Sequence, residues 1–379
     1  MARRGDVLEP SAIVVAPAPA GAKMVSTADP PATVDQVAPL ELALDSQRVC
    51  VRAAGRVHCT ATLKADVALT ASPALEGIDD AVSVALGSTF GCAATRAGKV
   101  LCFGDNTYGQ LGAQLRSDRS DKPVVVSGIA GAKRVYASDS QACALLTDAT
   151  VRCWGRNDSG QTGGTTYYVP AARELVEADV APGVGDVANV APGGWTTCAS
   201  TRAHAVMCWG RAPFETDRMM HARPNVRPVT VPELAGLEQV SASGGAFCGI
   251  EGGAVKCWGE LYSLLSGEAG RTSKVSSTGV TDARLVRIAQ THGCALLTDG
   301  SVTCWGMGSY GALGRGETTG YEALPPETVR DLPLAVDVAV GDASSCAITG
   351  AREVYCWGSW PHADGAPQKE TLPVKMRVD

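Results

Sequence analysis

Fourteen cysteines divide into seven pairs, and the two members of every pair are 9 or 10 residues apart. The pairs are Cys50 with Cys59, Cys92 with Cys102, Cys143 with Cys153, Cys198 with Cys208, Cys248 with Cys257, Cys294 with Cys304, and Cys346 with Cys356. Their first members recur at a mean step of about 49 residues, a period typical of architectures built from repeated supersecondary units. The cysteines therefore predict seven copies of one small unit.

The spacing within each pair fits a β-hairpin in which the two cysteines face each other. In residues 294–304, opposed cysteines leave residues 298–300 as a three-residue loop that ends in glycine. In residues 248–257, the same opposition leaves the two-residue turn Gly252-Gly253, so the shorter gap reflects a shorter turn. Opposed residues have Cα atoms roughly 4.5–5.5 Å apart, a distance that a disulfide can span. Seven cross-strand disulfides are the hypothesis.

Two other uses of the cysteines stay open. Zinc sites usually need closely spaced cysteines or nearby histidines, and neither this spacing nor the five scattered histidines fits them, so no metal is expected. Buried free thiols, which pack as small apolar groups, are the stronger alternative. Disulfides would indicate an extracytoplasmic location: periplasmic, cell-surface or secreted. No clear signal peptide is visible, because Asp6, Glu9 and Pro10 interrupt the apolar stretch that export needs.

Composition narrows the classes of fold and partner. A net charge of -6 without a run of Lys and Arg argues against nucleic acid as a partner. No stretch of about 18 apolar residues is present, so no membrane-spanning helix is expected. With 43 Gly, 21 Pro and 5% aromatic residues, the chain favours many short strands joined by tight turns, an all-β fold.

The repeats predict a seven-bladed β-propeller with four short antiparallel strands in each blade. Short strand patterns such as residues 132–138 and 335–341 precede the cysteine hairpins, and Pro-containing extended segments such as 227–233 precede several of these. Seven sheets around an axis cover one another's faces, which one sheet alone cannot do. Residues 372–378 are expected to close the ring by completing the blade begun by the N-terminal strand. Residues 1–33, rich in Ala and Pro, are predicted to be a flexible segment before a propeller spanning 34–379.

Further motifs carry a resemblance to a known family. Five repeats continue from the second cysteine into Trp-Gly, and residues 103–112 read Phe-Gly-Asp-Asn-Thr-Tyr-Gly-Gln-Leu-Gly, with partial copies at 160–163 and 311–314. With seven repeats in register, the chain resembles the regulator of chromosome condensation repeat family over roughly residues 34–379, although repeats 1, 4, 5 and 7 lack the Gly-Gln-Leu-Gly element. The paired cysteines resemble its bacterial, exported branch. The resemblance implies functions as different as guanine-nucleotide exchange on a small GTPase, ultraviolet-B reception in plants and inhibition of β-lactamases, so fold alone does not fix function.

The sequence indicates a binding protein, not an enzyme. Neither a G-x-S-x-G nor a phosphate-binding G-x-x-x-x-G-K-[ST] motif occurs, and no cofactor is expected. The tryptophans after the second cysteines are predicted to pack between blades. Two alternatives remain: a lyase-type enzyme with a site in the central channel, and a regulator of GTPase exchange.

The candidate contact residues lie in long insertions after the Trp-Gly elements. Aromatic, Met and Arg side chains on loops of a rigid scaffold are typical of protein-binding surfaces. The predicted binding residues are Tyr167, Tyr168, Arg218, Met219, Met220, Arg223, Tyr262 and Tyr310, with Leu264, Leu265 and Tyr321 nearby. We expect a protein partner, or alternatively a surface glycan, on the face that carries these loops.

Overall fold

The computed structural model describes most of the chain from residue 40 onward. The described residues are 40–45, 48–60, 69–113, 115, 117–163, 179–180, 185–211, 225–261, 263–265, 271–361 and 367–378. The chain divides into two units, Met1–Val37 and Ala38–Asp379, and all described residues belong to the second. The boundary predicted near residue 33 lies outside the described residues.

Each of seven antiparallel sheets is one blade, and its strands follow one another in the chain. The innermost strands are β1 (Glu41–Leu44), β4 (Ala81–Leu86), β8 (Ala132–Ser138), β12 (Val187–Pro192), β16 (Gln239–Ser243), β20 (Ala283–Ile288) and β24 (Ala335–Val340). The second strands are β2 (Val49–Ala53), β5 (Phe90–Thr95), β9 (Gln141–Leu146), β13 (Thr196–Thr201), β17 (Ala246–Glu251), β21 (His292–Leu297) and β25 (Ser344–Thr349).

The third strands contain the second cysteines, and the outer strands include the Pro-containing segments. The third strands are β3 (Arg56–Thr60), β6 (Val100–Asp105), β10 (Val151–Gly155), β14 (Val206–Gly210), β18 (Ala254–Glu260), β22 (Val302–Met307) and β26 (Val354–Pro361). The outer strands are β7 (Arg119–Val125), β11 (Asp179–Val180), β15 (Asn225–Thr230), β19 (Arg271–Ser277), β23 (Ala323–Thr328) and β27 (Pro367–Met376). Two short 3-10 helices lie at Leu69–Ala71 and Pro232–Leu234. The predicted all-β, seven-bladed propeller is confirmed.

The closure of the ring differs from the prediction. The C-terminal strand β27 pairs with β26 in its own blade, so the expectation that it completes the first blade is wrong. Within the described residues the first blade has three strands. Blades 7 and 1 instead meet by packing, since Leu42 and Leu44 share an apolar cluster with Ile348 and Met376. One backbone hydrogen bond, from Leu69 N to Arg377 O at 2.8 Å, joins the C-terminal segment to the first blade.

The cysteine hairpins form as the spacing predicts. In every blade the two cysteines face each other across the second and third strands and are disulfide-bonded, with Cα atoms 4.0–4.1 Å apart. The bonded pairs are Cys50 with Cys59, Cys92 with Cys102, Cys143 with Cys153, Cys198 with Cys208, Cys248 with Cys257, Cys294 with Cys304, and Cys346 with Cys356. The paired cysteines are therefore disulfide-bonded, and not free thiols or zinc ligands. Disulfides in every blade indicate an oxidising environment.

The turns of these hairpins have the backbone angles that their glycines allow. The two-residue turn Gly252-Gly253 has φ of 53° and 83°. Gly300, which ends the three-residue loop, has φ of 90°. Glycine adopts these positive angles without steric cost, so the turn residues support the register in which the cysteines are opposed.

The core lies between the blades. Five tryptophans follow the second cysteine of their hairpin, and each is at most 1% exposed: Trp154, Trp209, Trp258, Trp305 and Trp357. Each packs against the preceding blade, as Trp154 does against Phe90 and Leu111 of blade 2. The prediction of inter-blade packing is confirmed. No helix within the described ranges is long and apolar enough to cross a membrane.

Candidate functional site

The propeller has two chemically different faces. On one face lie the turns between inner and second strands and the loops between third and outer strands; we call it the loop face. The two kinds of turn are joined there by backbone hydrogen bonds, as from Asp105 N to Thr89 O at 3.1 Å and from Arg156 N to Ser140 O at 2.9 Å. The cysteine hairpins and the connections between blades lie on the opposite face, the hairpin face.

The structure locates only part of the predicted binding set. Tyr310 lies on the loop face and is 38% exposed, and Tyr321 is 78% exposed. Leu264, expected on the surface, is 1% exposed and packs in the cluster around Trp305, so that expectation was wrong. The other predicted residues lie outside the described residues: Tyr167, Tyr168, Arg218, Met219, Met220, Arg223 and Tyr262.

Two exposed tyrosines on the loop face are each held under a cation from the next blade. Arg156 of blade 3 lies over the ring of Tyr108 of blade 2, with 5.2 Å between the guanidinium carbon and the ring centroid. Lys369 of blade 7 lies over the ring of Tyr310 of blade 6, with 5.8 Å to its centroid. Such cation–π contacts fix a ring while leaving its edge accessible. The sequence analysis missed Tyr108, although it lies inside the best-preserved repeat motif.

Hydrogen bonds within the motif hold the loop around Tyr108. Asn106 Oδ1 accepts from Leu111 N at 3.1 Å, and Gln110 Oε1 accepts from Tyr108 N at 2.8 Å. Gln110 Nε2 donates to Asp105 Oδ2 at 2.5 Å. The motif's Asn and Gln therefore shape the loop that presents the tyrosine.

Blade 3 repeats this arrangement in its own loop. Asn157 Oδ1 accepts from Thr162 N at 3.1 Å, and Gln161 Oε1 accepts from Ser159 N at 2.8 Å. The same two side chains at the same motif positions thus make the same bonds. This equivalence shows that the loop conformation follows from the motif and not from its neighbours.

The same motif also receives the tryptophan of the next blade. Trp154 Nε1 donates to Gln110 O at 2.9 Å, and Trp357 Nε1 donates to Ala312 O at 2.8 Å. In blade 3 the matching carbonyl, Gln161 O, accepts from Thr197 Oγ1 at 2.7 Å instead. Among the described residues, three tryptophans of this series find no acceptor for Nε1: Trp209, Trp258 and Trp305. Ala312 O accepts from Ser345 Oγ as well, at 3.3 Å, so one turn carbonyl can hold both a hydroxyl and the tryptophan of the next blade.

The seven inner strands enclose a central channel with a cavity volume of about 220 Å³. Inner strands are sheet edges, so their channel-side N–H groups need partners other than a strand. Among the described residues, side chains of the preceding blade accept from them in five places: Glu41 from Val84 N, Ser83 from Val135 N, Asn189 from Val240 N, Gln239 from Val286 N and Ser241 from Ile288 N, at 3.0–3.4 Å. These polar groups therefore hold the ring of blades together.

Carboxylates gather where the channel opens on the loop face. Asp45, Asp139 and Asp342 all follow the ends of inner strands and line the channel. Burial raises the pKa of Asp342, and the negative charges of Asp139 and Asp45 add to that rise. Burial also raises the pKa of Asp139, against the opposing effects of its hydrogen bond from Ser88 and the charge of Arg156. This mouth is acidic.

Deeper in the channel, positive charge appears. Arg287 and Arg134 line it together with Tyr136. Burial lowers the pKa of Arg287, and the positive charge of Arg134 lowers it further, while Asp337 acts in the opposite direction. Burial raises the pKa of Tyr136. The residues that the structure describes contain no cluster of three or more His, Cys, Asp or Glu placed to hold a metal ion.

Comparisons with known proteins agree with this geometry. A model of the Regulator of chromosome condensation (RCC1) repeat matches residues 97–145 and 299–348, and a second model of that repeat matches 81–110 and 132–161. The propeller thus contains segments similar to RCC1 repeats within residues 81–161 and 299–348. The matched segments contain two complete cysteine hairpins, Cys92–Cys102 and Cys143–Cys153, and the two turns that accept from the next blade's tryptophan.

The curated proteins similar to this chain include a human ubiquitin ligase. The E3 ubiquitin-protein ligase HERC2 of Homo sapiens is 27% identical over 305 residues, which are 74% of this chain but 6% of that protein. The chain thus spans a small part of this relative.

Solved structures share the fold. Human WBSCR16 superposes with a TM-score of 0.69 at 20% identity, covering 81% of this chain and 84% of that one. Yeast RCC1 (Prp20), in a crystal structure with Kap60 bound, gives a TM-score of 0.63 at 16% identity and covers 78% and 74%. At such identities the likeness concerns the fold alone.

Proposed function

We propose that this RCC1-like propeller is a non-enzymatic, disulfide-stapled scaffold that recognises a protein partner on its loop face. The observation that carries the proposal is the pair of cation-clamped tyrosines, Tyr108 and Tyr310, which are 48% and 38% exposed. Large rings that are fixed before binding lose little conformational entropy when they are buried, and tyrosine is enriched at binding hot spots. Each clamp joins two blades, so the rigid ring of sheets orients both rings.

Three further features support this proposal. Tyr321 adds a strongly exposed ring on a loop after a third strand. The relative yeast RCC1 (Prp20) is a propeller with a protein bound, Kap60. Disulfides in all seven blades favour an oxidising compartment, and we extend this to an exported protein of the periplasm, cell surface or extracellular space. The bacterial, exported branch of the family is part of the same proposal.

The test is partner capture by the purified, oxidised protein from its native compartment. Replacing Tyr108→Ala and Tyr310→Ala together should leave the fold intact and lower capture at least about tenfold, since hot-spot truncations cost about 2 kcal/mol or more. The matched control replaces two exposed apolar residues on the hairpin-face side, Leu334→Ala and Val336→Ala.

Two results would contradict the proposal. Capture lost only in the Leu334 and Val336 variant would move the site to the hairpin face. Turnover of a substrate, or nucleotide exchange on a small GTPase, abolished by a channel substitution such as Asp342→Asn, would favour the enzymatic or exchange alternatives. Capture that disappears when glycans are removed from the partner would identify a glycan as the recognised group.

A further inference from the structure

The channel is lined by a guanidinium group, that of Arg287, which makes one hydrogen bond among the described residues. Arg287 comes from blade 6, yet its charge interacts with Asp337 of blade 7, with Arg134 and Tyr136 of blade 3 and with Glu41 of blade 1. Blades 3 and 6 are three positions apart in a ring of seven. Blades 3 and 6 lie across the channel from each other, and Arg287, Arg134 and Tyr136 all line it.

Arg287 lies in a blade that, within the described ranges, has no side chain to accept from the inner-strand N–H of the next blade. The residue that caps the next blade's N–H is Glu41, Ser83, Asn189 or Gln239 in blades 1, 2, 4 and 5, but Arg134 and Leu285, which offer no acceptor, take this position in blades 3 and 6. The N–H of blade 7 is instead satisfied within its own blade, from Val338 N to Asp337 Oδ1 at 2.9 Å. Arg287 is therefore not required as a cap.

Most donors of Arg287 have no acceptor among the residues that the structure describes. A guanidinium offers five N–H donors. Among the described residues Arg287 makes one hydrogen bond, from Nη1 to Val286 O at 3.3 Å, and takes part in no ion pair. The carboxylate of Glu41 is already engaged by Arg52 Nε at 3.0 Å and Val84 N at 3.1 Å.

Two other groups complete a donor set around this point. Arg134 lies over the ring of Tyr136, with 5.6 Å between the guanidinium carbon and the ring centroid. Its positive charge faces that of Arg287, and both line the same cavity of about 220 Å³. Burial raises the pKa of Tyr136, so its hydroxyl keeps the proton that it can donate, and Val190 and Asn189 line the cavity beside it.

We infer that the channel binds a small oxyanion, of the carboxylate or phosphate class, between Arg287 and Arg134, with the Tyr136 hydroxyl as an additional donor. Planar guanidinium groups bind both classes through paired N–H donors. A bound oxyanion separates two like charges that otherwise repel in a confined space. It also supplies acceptors for the unused donors of Arg287. The site is independent of the proposed contact surface, since Tyr108 and Tyr310 lie at the periphery of the loop face.

The experiment is calorimetric titration of the oxidised protein, exchanged into low-salt buffer without oxyanions. The probes are inorganic phosphate and succinate, each compared with sodium chloride at the same ionic strength. We expect saturable one-to-one binding of at least one oxyanion and none of chloride. Saturation by phosphate alone identifies the phosphate class, and saturation by succinate alone identifies the carboxylate class.

Variants tie the binding to the channel. Arg287→Gln and Arg134→Gln should each lower the affinity at least about tenfold, the usual effect of removing a charged donor. Arg284→Gln is the matched control: it removes the same charge from the same strand, but its side chain is exposed and donates to Val336 O at 3.1 Å. Its affinity should stay within about twofold of the unchanged protein.

The proposal is overturned if neither oxyanion saturates, or if Arg287→Gln and Arg284→Gln bind as the unchanged protein does. If Arg287→Gln fails to fold, Arg134→Gln decides, because the Arg134 side chain is exposed to the channel and lies over the Tyr136 ring. Partner capture on the loop face is measured separately. Loss of anion binding with normal capture therefore rejects this inference without rejecting the proposed function.

Discussion

Replacing Trp154 by phenylalanine tests whether the inter-blade hydrogen bond, and not only the buried ring, stabilises the propeller. Trp154 Nε1 donates to Gln110 O at 2.9 Å, and both groups are buried. Trp154→Phe removes the donor and leaves the Gln110 carbonyl without a partner, which costs about 1–3 kcal/mol beyond the loss of packing. The smaller ring adds a packing cost of its own.

Trp305 provides the matched control. It occupies the same position after its second cysteine, is fully buried, and has no acceptor for Nε1 among the described residues. Trp305→Phe removes the same atoms but no hydrogen bond, so it should cost only the packing share. The free energy of unfolding should therefore fall by about 1–3 kcal/mol more in Trp154→Phe than in Trp305→Phe.

Equilibrium urea unfolding with the disulfides intact, followed by circular dichroism, measures this difference. The comparison of midpoints holds only if both variants unfold with the same slope against urea. Trp357→Phe is a second test, because Trp357 Nε1 donates to Ala312 O at 2.8 Å and should behave like Trp154. If Trp154→Phe and Trp305→Phe differ by less than about 0.5 kcal/mol, the hydrogen bond contributes nothing measurable and the reasoning fails.

Three further predictions concern the glycine of the turn, a buried histidine and the disulfides. Gly112→Ala should lower the free energy of unfolding by about 1–3 kcal/mol more than Gly128→Ala does. Both glycines have positive φ, but only at Gly112 would an added Cβ lie within 3 Å of neighbouring side chains, Trp154 included. Equal urea midpoints for the two variants would contradict this. Burial lowers the pKa of His292 to about 3 from 6.5, so the unfolded chain takes up a proton first and the free energy of unfolding falls as the pH drops from 6.5 toward 3. His292→Asn should reduce this fall by up to about 4–5 kcal/mol in all. The control His204→Asn, at an exposed position, should leave the fall unchanged. The isolated protein, treated to block any free thiol, should be about 14 Da lighter than its reduced form, since seven disulfides lack fourteen hydrogens. A free cysteine found by peptide mapping would show that its blade has no disulfide.

The local sequence was sufficient to predict the cysteine hairpins and the number of blades. The turn Gly252-Gly253 and the loop ending at Gly300 follow from the spacing of two cysteines that must face each other, a constraint confined to about ten residues. The burial of Trp154 and its equivalents follows similarly, because an apolar side chain on a blade face is buried only by packing against a neighbouring blade. The loop around Tyr108 was recognisable as a motif, although its tyrosine was not identified as a contact residue.

Closure of the ring and the contents of the channel depended on the tertiary structure. The C-terminal segment has the pattern of an outer strand in either blade 7 or blade 1, and only its pairing with β26 decides between them. Arg287 and Arg134 are separated by more than 150 residues, and no local pattern indicates that blades 3 and 6 present them to the same cavity. The repeats determine the strands and turns of each blade, because the contacts within a blade join residues that are close together in the sequence. Which side chains meet at the axis is decided only when all seven blades close, because each contributes one inner strand to a shared channel.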